Sequence, residues 1–300
     1  FNSYSMELLH FTGPVWRPPY EASAQLLQVT AGCTHNKCKF CSLYHGTKFR
    51  LSPIAEVEED LKVIRSYQPK ARRVFLTGAN PFVLSYDRLL ELGLLIRKYL
   101  RHCESIGMFA RISDIKPKTA EELKNLRHLG FDGISIGTES GDDDTLAAMN
   151  KGYAARDIIE QCKKLEEADI RYNFMYLTGL AGKGNGERNA VRTAEVFNRL
   201  HPFTINIVSL TVFPESELYG EIRHGNFVEA PEHERLSELR TLISRLRIET
   251  TLLGNTVSNA VPFIGRIPDD KVRLLDELDA AMRNVGEREL RRYRDSIESL

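Results

Sequence analysis

Six short runs rich in β-branched and large apolar residues punctuate the chain, and after most of them apolar positions recur at steps of three and four. The runs are 25–30, 73–77, 105–111, 133–137, 171–177 and 204–210. Unbroken or alternating apolar character over a few residues predicts strands, and the three-four spacing predicts amphipathic helices. The helix after the first run opens at Ser52-Pro53, with Ser52 as N-cap, Pro53 at the first helical position, and Val57, Leu61 and Ile64 on one face. Further helices are expected over 86–100, 119–129, 144–149, 155–167 and 187–200, and Thr119 with Glu122 forms a capping box. Strand-helix alternation predicts an α/β fold with parallel strands joined by right-handed crossovers, as an open doubly wound sheet or a full or partial barrel. In either case the ligand site belongs at the carboxyl ends of the strands.

The flanks read differently. Residues 14–21, with Pro14, Pro18 and Pro19, cannot build a regular helix and are expected to lie extended against the body. After Pro214 the alternation is expected to stop, leaving a helix over 231–250, an irregular stretch over 255–268, and a helix over 269–284. The mixed-charge segment 287–300 reads as a solvated helix, because its arginines alternate with acids. The expected organisation is a lead-in over 1–22, a core over 23–214, and a mainly helical C-terminal extension over 215–300. Residues 1–5, ahead of Met6, are set aside as foreign to the fold.

Composition narrows the function classes. The 300 residues, 42% apolar, can bury a sizeable core. Basic and acidic residues balance at 41 each, which argues against a nucleic-acid partner. No run approaches the roughly 18 apolar residues of a membrane span, and the start has no signal-peptide pattern, so a cytoplasmic protein with no membrane association is expected. Of the five cysteines, Cys103 and Cys162 stand apart and read as buried thiols of a reducing compartment.

The other three are packed into Gly32-Cys33-Thr34-His35-Asn36-Lys37-Cys38-Lys39-Phe40-Cys41, directly after the first strand. Such crowding points to a shared metal. A closed zinc site takes four ligands, and His35 is the nearest fourth donor for one. Three thiolates alone suit an iron-sulfur cluster with one iron left open for chemistry.

This loop resembles that of the radical S-adenosylmethionine (SAM) superfamily, in which three residues separate the first two cysteines, two separate the last pair, and an aromatic precedes the third. Phe40 fills the aromatic position, while the first gap here holds four residues, Thr34 to Lys37. The resemblance implies a six-stranded parallel partial (β/α)6 barrel and a 4Fe-4S cluster held by Cys33, Cys38 and Cys41. It also implies SAM on the open iron, reductively cleaved to a 5'-deoxyadenosyl radical that abstracts hydrogen from a small or medium organic substrate. An electron donor such as flavodoxin or ferredoxin is implied with it.

Site residues follow from matching positions. Gly78, Ala79 and Asn80 take the place of the family's glycine-rich motif near the SAM amine, with Asn80 where the family carries an acid. Glu139 stands where the family has an acid near the SAM ribose or methionine, and Gly179-Leu180 resembles the fifth-strand motif near adenine. Arg111 and Ser113, after the third strand, are weaker candidates for cofactor contact. A finer resemblance, to small proteins related to the oxygen-independent coproporphyrinogen dehydrogenases, rests on Arg17-Pro18-Pro19, Asn150-Lys151-Gly152 and Ser258-Asn259, among others. Two other functions remain open at this point, a non-catalytic zinc or iron-sulfur structural protein and a tRNA-modifying radical SAM enzyme.

Overall fold

The computed structural model describes residues 8–299, so the segment 1–5 set aside above lies outside the described residues. The expected alternation is present. Strands β1 (Gln25–Gln28), β2 (Thr30–Ala31), β3 (Arg50–Leu51), β4 (Arg73–Thr77), β5 (Ser105–Ala110), β6 (Phe131–Glu139), β7 (Tyr172–Thr178), β8 (Thr204–Ser209), β9 (Thr250–Gly254) and β10 (Phe263–Ile267) are joined largely by helices. Those helices are α1 (Ile54–Tyr67), α2 (Tyr86–Tyr99), α3 (Ile112–Ile115), α4 (Ala120–His128), α5 (Asp143–Ala148), α6 (Ala155–Glu167), α7 (Gly186–Phe197), α8 (Glu217–Arg223), α9 (Glu232–Arg245), α10 (Lys271–Asn284) and α11 (Glu287–Asp295). Apart from the small β2-β3 ribbon, the strands form one sheet in chain order, β1-β4-β5-β6-β7-β8-β9-β10.

The chain divides into two compact units, the first comprising the described residues through Asn36 with 43–136 and 164–172, the second the remainder. In the first, β4 pairs in parallel with β1 and β5, and β5 with β6. Val74, Phe75 and Leu76 are fully buried, as the middle strand of a parallel sheet requires. Val57, Leu61 and Ile64 of α1 and Leu89, Leu92 and Ile96 of α2 are buried with them. Thr119 and Glu122 do form the capping box at the start of α4 (3.1 and 2.8 Å). Ser52 is not an N-cap. The helix begins at Ile54, with Pro53 in the cap position. The Ser52 hydroxyl instead accepts from the Gln28 amide (3.2 Å), so it is spent on β1 rather than on the helix.

The proline-rich lead-in is extended except for one 3-10 turn, Pro19–Glu21. Its buried Glu21 receives two hydrogen bonds from Arg73 (2.7 and 2.5 Å), at the amino end of β4. Arg73 also donates to the Ser105 hydroxyl (3.0 Å) and the Asp132 carbonyl (3.2 Å). One guanidinium thus ties the lead-in to the amino ends of three strands.

The second unit corrects two expectations. The alternation does not stop after Pro214: β9 continues the sheet in parallel with β8, and β10 closes it in the antiparallel sense. Part of 255–268, expected to be irregular, is therefore a strand, and α9 ends well short of residue 250. In β10 the buried Phe263, Gly265 and Ile267 alternate with the exposed Ile264 and Arg266. That is period two, as a half-buried edge strand demands, but too short and glycine-marked to stand out in the sequence.

Nor is the segment from residue 287 merely solvated. Leu290 and Arg294 of α11 are buried. Arg294 holds both carboxylate oxygens of the buried Glu232 (2.5 and 3.0 Å) and donates to the Ser209 hydroxyl (2.9 Å). Among the described residues no helix is long and apolar enough to cross a membrane. Because Glu232→Ala leaves the Arg294 guanidinium buried without its counter-charge, urea unfolding should show a loss of about 3–5 kcal/mol.

Candidate active site

In the first unit, the segment after β2 begins with Gly32 and Cys33, and the carboxyl end of β4 runs into Gly78-Ala79-Asn80. Gly78 has φ +124°, and a Cβ there would lie 2.0 Å from the Thr30 hydroxyl, so only glycine lets β4 turn against the first strand segment. The Ala79 amide donates to the Gly32 carbonyl (3.2 Å). Asn80 is fully buried. Its Oδ1 accepts from the Thr34 amide (3.3 Å), and its Nδ2 donates to the Thr34 hydroxyl (2.7 Å) and to both oxygens of Asp114 (3.1 Å each).

Asp114 is a residue that sequence reasoning missed. It stands in the third position of α3 and accepts from the Arg111 amide (2.7 Å), closing the turn after β5. Burial pushes its carboxyl up to about 6, against the pull of the hydrogen bonds from Arg111 and Asn80. Beneath it, the buried Lys118 ammonium donates to the Asp114 and Phe82 carbonyls (3.0 and 2.6 Å) and lies over the Phe82 ring (4.6 Å). Desolvation pulls this amine down to about 8. The signal for Asp114 was available, since an acid three places after a strand-ending residue is a capping pattern. Arg111 is half-buried and Ser113 exposed, and Arg111 Nη1 donates to the Ser113 hydroxyl (3.2 Å).

In the second unit, 37–42 is pinned by backbone hydrogen bonds. The Lys39 amide donates to the Met149 carbonyl (3.2 Å), the Leu218 amide to the Lys39 carbonyl (2.8 Å), and Asn150 Nδ2 to the Lys37 carbonyl (3.0 Å). Phe40 packs on an apolar cluster of Met149, Leu177, Leu180, Leu210 and Leu218, so the structure brings Phe40 and Leu180 into one patch.

At the end of β6, Glu139 adopts φ +64°, a left-handed conformation that side chains rarely take. Rather than being solvated, its side chain is 14% exposed and lies 3.9 Å from the Lys151 ammonium. Burial raises the carboxyl's pKa and Lys151 opposes the shift. Lys151 in turn donates to the Gly137 carbonyl (2.9 Å) and sits over the rings of Phe40 (5.6 Å) and Tyr153 (5.5 Å). The Asn150-Lys151-Gly152 motif thus joins Glu139 to the aromatic of the cysteine segment.

At the end of β7, Gly179 has φ +81° and a Cβ there would lie 3.0 Å from Arg235 Nε. Its amide donates to Glu238 of α9 (2.8 Å). Glu238 is buried and accepts also from the Tyr176 hydroxyl (2.6 Å) and Asn189 Nδ2 (2.9 Å), while burial pushes it up to about 7. Sequence reasoning passed over it, because a Glu among the charged residues of a long helix reads as surface.

None of the three clustered cysteines is in a disulfide, and each is half-buried, with Cys33 in the first unit and Cys38 and Cys41 in the second. Cys33 Sγ accepts from the Asn36 amide (3.3 Å). Among the described residues no three His, Cys, Asp or Glu side chains are gathered closely enough to hold a metal ion. Thiolates repel one another, and it is the metal that assembles such a set. The donor chemistry fits an iron-sulfur cluster. A second observation fits a bound small molecule: Thr77 Oγ1, just before Gly78, is buried with no hydrogen-bond partner. Cys103 and Cys162 are buried, as expected.

Comparison with known proteins places this arrangement. The chain is 22% identical over 224 residues to the heme chaperone HemW of Bacillus subtilis, covering 71% of this chain and 57% of the relative. It is 24% identical over 244 residues to the bacteriochlorophyllide d C-8(2)-methyltransferase of Chlorobaculum tepidum, covering 75% and 50%. The chain therefore spans about half the length of these curated relatives. Among solved structures it resembles the radical SAM coproporphyrinogen III oxidase HemN of Escherichia coli (TM-score 0.55, 14% identity, covering 81% of this chain and 55% of that one). It also resembles methylornithine synthase PylB (TM-score 0.54, 14% identity, covering 85% and 68%). At such identities the likeness carries the fold alone, the mainly parallel α/β partial barrel. The Radical SAM superfamily profile matches residues 27–197, more than half of the chain, from β1 to the end of α7. By that match the chain belongs to the radical SAM superfamily.

Proposed function

We propose that this radical SAM enzyme holds a 4Fe-4S cluster through Cys33, Cys38 and Cys41, binds SAM beside it, and acts on a small or medium organic substrate. The observation that carries the reading is the set of three unbridged thiols within nine residues, inside the segment that matches the superfamily. When bound, the cluster and SAM supply a one-electron cleavage that yields a 5'-deoxyadenosyl radical for hydrogen abstraction. A reduced electron donor of the flavodoxin or ferredoxin kind is required with it. The protein's own part is to position and to exclude water.

On this reading Asn80 positions rather than binds. Its amide is committed on both sides, to Thr34 next to the first ligand and to Asp114. The Gly78 and Ala79 carbonyls and the Thr77 hydroxyl are the acceptors for the SAM amine. Glu139, beside the Lys151 ammonium, accepts from the ribose hydroxyls or the ammonium group. The Phe40-Leu180 patch and the Gly179 backbone offer an apolar, closely approachable surface to the adenine. Arg111 and Ser113 are further candidate contacts to SAM.

Anaerobic reconstitution followed by dithionite and SAM is expected to release 5'-deoxyadenosine and to give a reduced-cluster paramagnetic signal that changes when SAM is added. Cys41→Ala should drop bound iron from about four per chain to near none and abolish both. An intact cluster without release, or a colourless chain carrying stoichiometric zinc, would sink the proposal.

The loop clamp has a signature of its own. Because burial lifts Asp114 from 3.8 to about 6, the folded chain holds a proton in that interval which the unfolded chain has released. Stability from this group is therefore greatest at the acid end and falls as pH rises from about 4 to 6. In Asp114→Asn that slope should vanish. The unfolding free-energy difference between the two chains should shift by on the order of 2–3 kcal/mol across the interval, measured by denaturant titration at each pH.

A further inference from the structure

The C-terminal extension, which the superfamily profile does not reach, supplies two buried charged side chains to the backbone at the end of β7. Arg235 and Glu238 stand one turn apart on α9, and both are buried. Glu238 takes the Gly179 amide (2.8 Å) on one carboxylate oxygen, and the Tyr176 hydroxyl (2.6 Å) and Asn189 amide (2.9 Å) on the other. Asn189 in turn accepts from the Ser140 hydroxyl (2.5 Å), directly after Glu139. Arg235 spans the other side of Gly179, donating to the Leu210 carbonyl (2.5 Å), the Ala230 carbonyl (3.0 Å) and Glu229 (3.0 Å).

We infer that Glu238 is a positioning residue for SAM: by holding the Gly179 amide it sets the backbone path of Gly179-Leu180, and through Asn189 it links that path to the segment carrying Glu139. The inference rests on the reading of Gly179-Leu180 as the adenine-facing loop. A glycine at φ +81° has a wide choice of conformations; the Gly182 amide holds its carbonyl (3.1 Å), and the buried Glu238 carboxylate holds its amide. A carboxylate suits the task because three donors converge on it, more than one amide oxygen could take together. Ordering the loop in advance spares the ligand that cost, so the gain appears as affinity. The extension is then part of the cofactor site even though it contributes no atom to the cofactor.

Reach, not charge alone, decides the test. In Glu238→Asp the carboxylate withdraws from the Gly179 amide, whereas in Glu238→Gln an oxygen stays within reach of it. Binding of S-adenosylhomocysteine and of 5'-deoxyadenosine to the cluster-loaded chains is measured anaerobically by titration calorimetry, well below each chain's unfolding temperature. The Asp variant is expected to lose roughly tenfold in affinity for both probes, and the Gln variant, which keeps the Gly179 acceptor but not the one for Asn189 Nδ2, to lose less than the Asp variant. Wild-type affinity in a folded Asp variant overturns the inference and leaves the SAM reading intact. Failure of the cluster-loaded wild type to bind either probe overturns both together.

Discussion

A buried peptide group must find a hydrogen-bond partner, and at the end of a parallel strand the neighbouring strand no longer supplies one. That requirement shapes the candidate site. The chain after β4 is held by Asn80, the chain after β5 by Asp114 through the Arg111 amide, and the chain after β7 by Glu238 through the Gly179 amide. Lys151 does the same for a carbonyl at the end of β6. Each is a side chain with more hydrogen-bonding capacity than one contact uses, so each also ties its loop to a second element. The loops are ordered by side chains, and their backbones remain available for close approach.

Backbone strain marks the same places. Gly78 and Gly179 sit at positive φ with a neighbour where a Cβ would be, and Glu139 tolerates φ +64° without being glycine. A carboxylate-bearing residue in that conformation is unfavourable by itself and persists only where its surroundings over-determine it, which is characteristic of ligand-binding positions. Here the surroundings are the Lys151 ammonium and the aromatic rings that flank it. Burial raises the pKa of this carboxyl, and the ammonium beside it opposes the shift.

The fold was largely legible because parallel strands buried on both faces announce themselves as apolar runs, and β4 to β8 begin and end within two residues of the pattern. The two strands of the extension were not, since β9 alternates buried with half-buried residues and β10 buried with exposed ones, over only five positions each. Arg294 was misread for a related reason. A guanidinium that pairs with Glu232 across more than sixty residues looks, in one dimension, like any surface charge. At the site, the cysteines, Gly78 and Glu139 could be found by spacing and by the ends of strands. Lys151 and Glu238 act through contacts that spacing alone does not encode, although the Asn150-Lys151-Gly152 motif marks one of them, whereas Asp114 carries a capping spacing three places after Arg111.

The amide at position 80, where the glycine-rich motif carries an acid, has a physical reason in the neighbouring strand. An acid at position 80 would put a second carboxylate within hydrogen-bond distance of Asp114, in a place where burial already disfavours one charge. Two such groups cannot both ionise, and one would be held protonated. The amide removes that conflict: its nitrogen donates to Asp114 while its oxygen accepts from the Thr34 amide. Asn80 and Asp114 therefore work as one unit, in which the negative charge sits on β5's side of the pair and the loop-holding amide on β4's side. A substitution of Asn80 by Asp should be read as a change to the ionisation of that pair first, and to the path of the Thr34 segment as its consequence.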